Sequence, residues 1–402
     1  MANDLLNDLK IRVQLALHEN ILPFWRTQVI DYQHGGFIGR MSNDLTPDKR
    51  APKGLILNAR LLWSYSAIHR LTEDASFLTL AKRAYDYLMQ FFIDPEYGGA
   101  YWFVDFQGAR LDAKKKVYGQ AFLIYALAEF FRATNDKGAL DQAIHLYNLI
   151  EKHAFDQIHK GYVETFERDW SEAGDLRLSA VDMNEKKSMN THLHVLEAYA
   201  ALHRVWKNKE LGQKLRDLLR IFAEHILDPQ SFHFKLFFDE AWTPKSEVIS
   251  FGHDIEGSWL LCEAAEALED ADWIQETRTM AVAMAEAVLN PALDKNGGLL
   301  YEGDPSGIID DDKHWWPQAE GVVGFLNAYE ISGDEKFLRS AVDLWDFIEH
   351  HIVDKKHGEW FWRVNRQNQP YLEEPKVSEW KSAYHNSRAC MEIMQRIDRL
   401  NS

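Results

Sequence analysis

The sequence is short of cysteine, of positive charge and of unbroken apolar runs, and each shortage removes a class of function. Two cysteines, Cys262 and Cys390, stand far apart in 402 residues. They form no CxxC pair and suggest no disulfide framework. Lys and Arg number 45 against 62 Asp and Glu, a formal net charge of -17. A nucleic-acid binder needs a basic face, and this chain has no surplus from which to build one. The one run of positive charge, Lys114 to Lys116, reads as a solvated loop. No stretch is apolar for the length a bilayer requires, and the amphipathic N-terminus MANDLLNDLKIRVQLALHEN lacks a signal core. No Pro- or Gly-rich linker divides the chain. The expectation is a soluble, cytoplasmic protein, one domain over 1–402, a monomer or weak homodimer, with neither nucleic acid nor membrane as partner.

What the chain does have is apolar mass and a repeat. It is 46% apolar and 13% aromatic, enough for a sizeable core. Six similar turns begin at Asp31, Asp94, Asp156, Asp228, Asp294 and Asp354, in steps of 63, 62, 72, 66 and 60 residues. After each turn come short aromatic-rich extended pieces, a loop and two helical stretches. The first unit shows the pattern in GLILNARLLWSYSAIHRL and SFLTLAKRAYDYLMQFF. The helix after the loop is apolar nearly all round, so it belongs inside. The next carries a charged face and belongs outside. Six such hairpins predict an all-α fold, an (α/α)6 barrel with short β pieces in the loops at its mouth. An open solenoid is the alternative. Closure is favoured because the last unit ends in a buried-type helix, SAYHNSRACMEIMQRI, which the N-terminal helix can cover.

Polar residues near the start of each inner helix should face a common mouth. They are Arg60, then Tyr118 with Gln120, then Asn190 with His194, then His253 with Glu256, then Trp316 with Glu320, and finally Trp380 with His385. Unpartnered buried polar groups are costly, so a purely structural core has no use for an Arg, two Glu and three His there. His192 and His194 lie two apart, about 200° around a helix, so only one faces the axis and His192 packs between helices. A two-histidine metal site on one helix needs an i, i+4 pair, which is absent, and no metal is expected. Arg60 has a plainer reading as the ion-pair partner of Glu256 or Glu320. Trp315, Trp360 and Trp362 read as core or lining. His314 and Asp310 to Asp312 read as exposed loop.

NTHLHVLEAY, FGHDIEGSWLL, WWPQAE and EWKSAYHNSR, in this order on six repeats, resemble the N-acylglucosamine 2-epimerase superfamily over nearly the whole chain. KGLILNARLLW and EWKSAYHNSR are similar to its cellobiose 2-epimerase branch. The resemblance implies an (α/α)6-barrel enzyme that inverts C2 of the reducing-end glucose of a β-1,4-linked disaccharide, with no cofactor or metal. It implies His253 and His385 as the acid/base pair and His194 as a third essential histidine. Arg60, Asn190, Glu256, Trp316, Glu320 and Trp380 would bind or assist, and Tyr118 and Asp182 would contact the sugar.

The residues suit that chemistry. The C2 proton of an aldose is acidic only when C1 is an aldehyde, so the ring must open first. Histidine titrates near neutrality and suits each proton transfer. Two bases on opposite sides of a planar enediolate account for inversion. Arg60 and His194 are expected near O1 and O2. Glu256, three residues after His253, is expected to orient it or to hold a hydroxyl. Three rival readings remain. One is a monosaccharide epimerase or aldose–ketose isomerase of the same superfamily. Another is an (α/α)6 glycoside hydrolase using Glu256 and Glu320 as its carboxylate pair. The third is a sugar-binding protein without turnover.

Overall fold

Four short motifs mark the corners of the hairpins: Glu73-Asp74, Asn135-Asp136, Glu269-Asp270 and Gly333-Asp334. In the computed structural model, which describes residues 2–401, the first member of each pair is left-handed, with φ of 57°, 56°, 58° and 71°. It ends one helix. The aspartate then accepts a backbone N–H from the first turn of the next. Asn208 caps the third hairpin in the same way. A cap of this kind contributes about 1 kcal/mol.

Twelve helices result. The inner ones are α2 (Leu55–Thr72), α4 (Val117–Thr134), α6 (Met189–Val205), α8 (Phe251–Leu268), α10 (Trp315–Ser332) and α12 (Tyr384–Leu400). The outer ones are α1 (2–27), α3 (75–92), α5 (Lys137–His153), α7 (209–226), α9 (Ala271–Ala292) and α11 (335–352). Each inner helix packs on the next, and α12 returns to α2. α1 covers α12 and α11, with Arg12 bonded to Glu349 and Trp25 Nε1 donating to Glu359. The architecture is the (α/α)6 barrel, closed rather than solenoidal. Inner helices are buried on nearly all sides because they face both the axis and the outer layer. Among the described residues no helix is long and apolar enough to cross a membrane.

The mouth carries a second ring, made of strands two or three residues long and one isolated bridge. Lys53 pairs with Val104, Lys115 with Phe166, Lys187 with Phe238, Ile249 with Gly303 and Lys313 with Val364. Val377 pairs with Met41 and closes it. Five of these strands carry a buried lysine that reaches back to the turn aspartate of its own unit. The pairs are Lys53–Asp31, Lys115–Asp94, Lys187–Asp156, Lys313–Asp294 and Lys376–Asp354, at 2.6–3.0 Å. Lys115 and Lys116 are therefore buried, not solvated as their run of charge suggested. The fourth unit has Ile249 where a lysine would stand, and its Asp228 meets the half-exposed Lys235 instead.

The fourth residue of four inner helices, α4, α6, α8 and α10, anchors the same region. Gln120 bonds both N–H and C=O of Ala100, and Gln318 does so for Leu299. His192 accepts from Tyr162 N–H at 2.9 Å, and Asp254 from Phe234 N–H at 2.7 Å. Gln120 thus holds a turn and does not face the mouth. His192 is the third unit's version of the same anchor, packed between helices as its direction required. Gly161 lies against it with φ of 76°, and a Cβ there would meet Trp242 at 2.5 Å and His192 Nε2 at 2.7 Å.

Candidate active site

The sixth residue of successive inner helices points to the axis: Arg60, Phe122, His194, Glu256 and Glu320. Above them lies a cavity of about 490 Å³. Arg60, Tyr118, Asp182, Asn190, His194, His253, Glu256, Trp316, Trp380 and His385 all line it. Glu320 lies just beneath, buried, against His385.

Each of the three histidines uses Nδ1 to hold itself in place. His194 Nδ1 lies 2.9 Å from Glu197 Oε2, His385 Nδ1 lies 2.7 Å from Glu320 Oε1, and His253 Nδ1 lies 2.8 Å from Ser250 Oγ. An ionised carboxylate only accepts, so His194 and His385 each carry a proton on Nδ1. Burial drives His253 down to about 3, helped by neighbouring Arg60 and His194. Burial, Arg60 and Arg388 hold His385 well below the usual imidazole range. Both rings are neutral at neutral pH and available as bases.

Beneath them Arg388 gathers the carboxylates. Its guanidinium donates to Glu256 at 2.6 Å and Glu320 at 2.7 Å, and also contacts Glu197 and Tyr384 Oη. Tyr384 Oη donates to Glu197 at 2.6 Å. Burial opposes ionisation of Glu197, but Arg388, His194 and Tyr384 outweigh it and keep it near 2. Burial and the like charge of Glu320 push Glu256 up to about 7. Burial raises Glu320 as well, against the pull of Arg388. Glu256 thus stands between its protonated and ionised forms near neutrality.

The alternative ion pair of Arg60 with Glu256 or Glu320 does not form. Arg60 donates to Trp380 O at 2.9 Å and Tyr118 Oη at 3.0 Å and lies over the Phe122 and Tyr384 rings. The glutamates have taken Arg388 instead. Nor does Glu256 orient His253, because its carboxylate turns to Arg388 and Ser250 holds the ring. Asn190 Oδ1 is buried without a partner at the cavity wall. Asp182, on the loop over the mouth, accepts from Ser179 N and Oγ at 2.7 and 2.8 Å. Trp316 touches both catalytic-candidate rings, with centroids 4.7 Å from His253 and 5.7 Å from His385. Trp380 packs on Tyr118.

His314, expected on an exposed loop, is buried, stacks on Tyr301 at 3.8 Å and lines the cavity with Trp315 and Trp362. Asp310 to Asp312 are half-buried, Asp312 being held by Arg363. Trp360 is core. Sequence reasoning missed Ser250, Glu197, Tyr384 and Arg388. A signal was there: three of them lie three residues from a mouth histidine, one helical turn away.

Glu256, Glu320 and His385 bring ligand atoms within 4.8 Å of one another, close enough to share one ion. The Arg388 guanidinium already bridges both carboxylates there, and a second cation would meet its charge.

Residues 36–389 match the family model described as N-acylglucosamine 2-epimerase (GlcNAc 2-epimerase). The chain belongs to the N-acylglucosamine 2-epimerase family. It is thereby a carbohydrate epimerase by descent. Among its relatives, a cellobiose 2-epimerase of Bacteroides fragilis is 45% identical, the match covering 96% of this chain and 98% of the relative. One of Dictyoglomus turgidum is 39% identical, covering 97% and 99%. A solved cellobiose 2-epimerase from Bacillus thermoamylovorans superposes with a TM-score of 0.93 at 38% identity, covering 97% of this chain and all of that one.

Proposed function

We propose that this enzyme inverts C2 of the reducing-end glucose of cellobiose and similar β-1,4-linked disaccharides, giving the glucosyl-mannose epimer. The observation that carries the reading is the pair His253 and His385. They come from different helices, flank one tryptophan at one cavity, and are both neutral with Nδ1 engaged.

The reaction begins with ring opening, in which a proton leaves O1 and one reaches O5. One histidine then takes the C2 proton, and the electron pair moves into the C1–C2 bond and onto O1. Arg60 and His194 are suited to meet that charge, because both are buried donors at the cavity wall. The second histidine returns a proton to the opposite face of C2. Glu320 accompanies His385 through its charge change, and Glu256 keeps a proton in reserve near neutrality. Asn190, Tyr118 and Asp182 offer polar contacts, and Trp316 and Trp380 offer flat faces for two sugar rings. A cavity of about 490 Å³ accommodates a ligand of this size. The proposal extends to a cytoplasmic enzyme working as a monomer or weak homodimer. Two buried free cysteines suit a reducing compartment.

The test is proton NMR of cellobiose with the purified protein in D2O, without added metal. Mannose-type anomeric signals at the reducing end, with deuterium at C2 and no free glucose, are expected. Release of glucose would move the chemistry to Glu256 and Glu320. An inert cellobiose alongside turnover of N-acetylglucosamine or mannose would move the substrate to a monosaccharide.

A further inference from the structure

Ser188 and Ser250 occupy the same place in consecutive units, the last strand residue before an inner helix. Both are buried. Ser188 does what serine ordinarily does there: its Oγ accepts from Thr191 N–H and caps α6. Ser250 makes no capping bond to α8. Its hydroxyl turns to His253 Nδ1 at 2.8 Å. A serine that gives up its usual helix cap for an imidazole has been turned to another task. Among the described residues it is the one hydrogen-bond partner of the His253 ring, whereas His194 and His385 are held by carboxylates. The ring also packs at a tilt against Trp316, with centroids 4.7 Å apart.

We propose that Ser250 is a positioning residue for His253, whose hydroxyl fixes the imidazole plane against one face of the sugar at C2. The inference rests on the epimerase reading above. Its consequence concerns the balance of two proton transfers. When His253 is held, a proton removed on the His385 side is replaced on the His253 side, and C2 inverts. When His253 swings free, the enediolate outlives its wait for that proton. The proton on His385 exchanges with solvent and returns to the face it left. The starting epimer is regenerated carrying solvent hydrogen, with no inversion. Atoms balance in both branches, since one C–H bond breaks and one forms.

The experiment follows cellobiose and its glucosyl-mannose epimer separately in D2O with wild type, Ser250→Ala and Ser250→Thr. In wild type, deuterium entry and inversion should proceed together. In Ser250→Ala, inversion should fall about tenfold, the usual scale for losing the group that orients a reactive imidazole. For one of the two epimers, the ratio of deuterium entry to inversion should rise about fivefold or more, because the His385 half of the site still works. Ser250→Thr, which keeps the hydroxyl, should restore inversion to within about threefold of wild type on the same scale. KM should change little in both. A merely structural role would slow exchange and inversion of both epimers by one common factor, and that outcome, or unchanged kinetics, overturns the proposal while the epimerase reading stands. Wild-type protein that exchanges no C2 proton removes the reading and the proposal together. If Ser250→Ala does not fold, the threonine variant decides: loss of inversion there, with its fold intact, counts against a hydroxyl role.

Discussion

His192 and His194, two positions apart, show how much one helical turn decides. The first accepts a backbone bond and keeps a turn in place. The second reaches the cavity and is braced by Glu197. Their opposite directions were legible in the sequence because 100° per residue leaves no other choice. Arg388 was not legible, because nothing in EWKSAYHNSR says which of three buried carboxylates an arginine will gather. That depends on helices one to three units apart in the chain. The same gap left open an Arg60–glutamate ion pair and a Glu256–His253 contact, neither of which forms. His253→Asn or His385→Asn should lower turnover by at least about a hundredfold, the contribution of a positioned acid or base, with the thermal midpoint little moved; near wild-type rates in either variant would refute the two-base scheme. Glu256 supplies a pH test. Burial and Glu320 hold it near 7, so it ionises as pH rises through 7, and its Oε1 lies 3.9 Å from His385 Nδ1. The new negative charge strengthens His385 as a base, so the rate should climb between about pH 6 and 8. In Glu256→Gln that climb should disappear from the pH–rate profile.

At the level of the element, the starts of α4, α6 and α10 are each pinned by a strand lysine, a fourth-residue anchor and a turn aspartate. The aspartates were visible as the repeat itself. Their partners were not, since a lysine in a loop reads as solvated until the fold buries it. Asp31, Asp94, Asp156, Asp294 and Asp354 all sit below the ordinary carboxylate range. Burial works against this, and lysine and backbone N–H bonds overcome it. A depressed carboxylate stabilises the fold above its unfolded value, about 3.9, and that stability drains as pH falls through the folded value. Acid unfolding followed by circular dichroism should therefore begin below about pH 4. Lys376 is wholly buried against Asp354. Removing one partner strands the other, so Lys376→Met should cost about 3–5 kcal/mol in urea unfolding. A loss under about 1 kcal/mol would show the pair to be dispensable.

The whole molecule is a ring, and its periodicity announced that: six aspartates at near-constant spacing leave few other architectures for helical hairpins of this kind. Closure rests on contacts between the two ends: α1 on α12, which the apolar last helix announced, and Met41 on Val377, which no local pattern displays. A closed ring has no free end from which to fray, unlike an open array. Unfolding should accordingly be a single transition, with far-UV circular dichroism and tryptophan fluorescence coinciding. Separate transitions would mean that the hairpins melt singly.

The lysine–aspartate staple has one further consequence. In the first unit Asp31 and Lys53 are 22 positions apart, and in the third Asp156 and Lys187 are 31 apart, yet both pairs close at 2.8 Å. The extra chain is spent in the stretch that carries Arg177, Ser179, Asp182 and Met183 to the cavity wall. The staple thus separates the barrel from whatever is strung between its two halves. The mouth loops behave as cassettes, open to lengthening, trimming or exchange while the helices beneath keep their register, so the choice of sugar can be rewritten without refounding the scaffold.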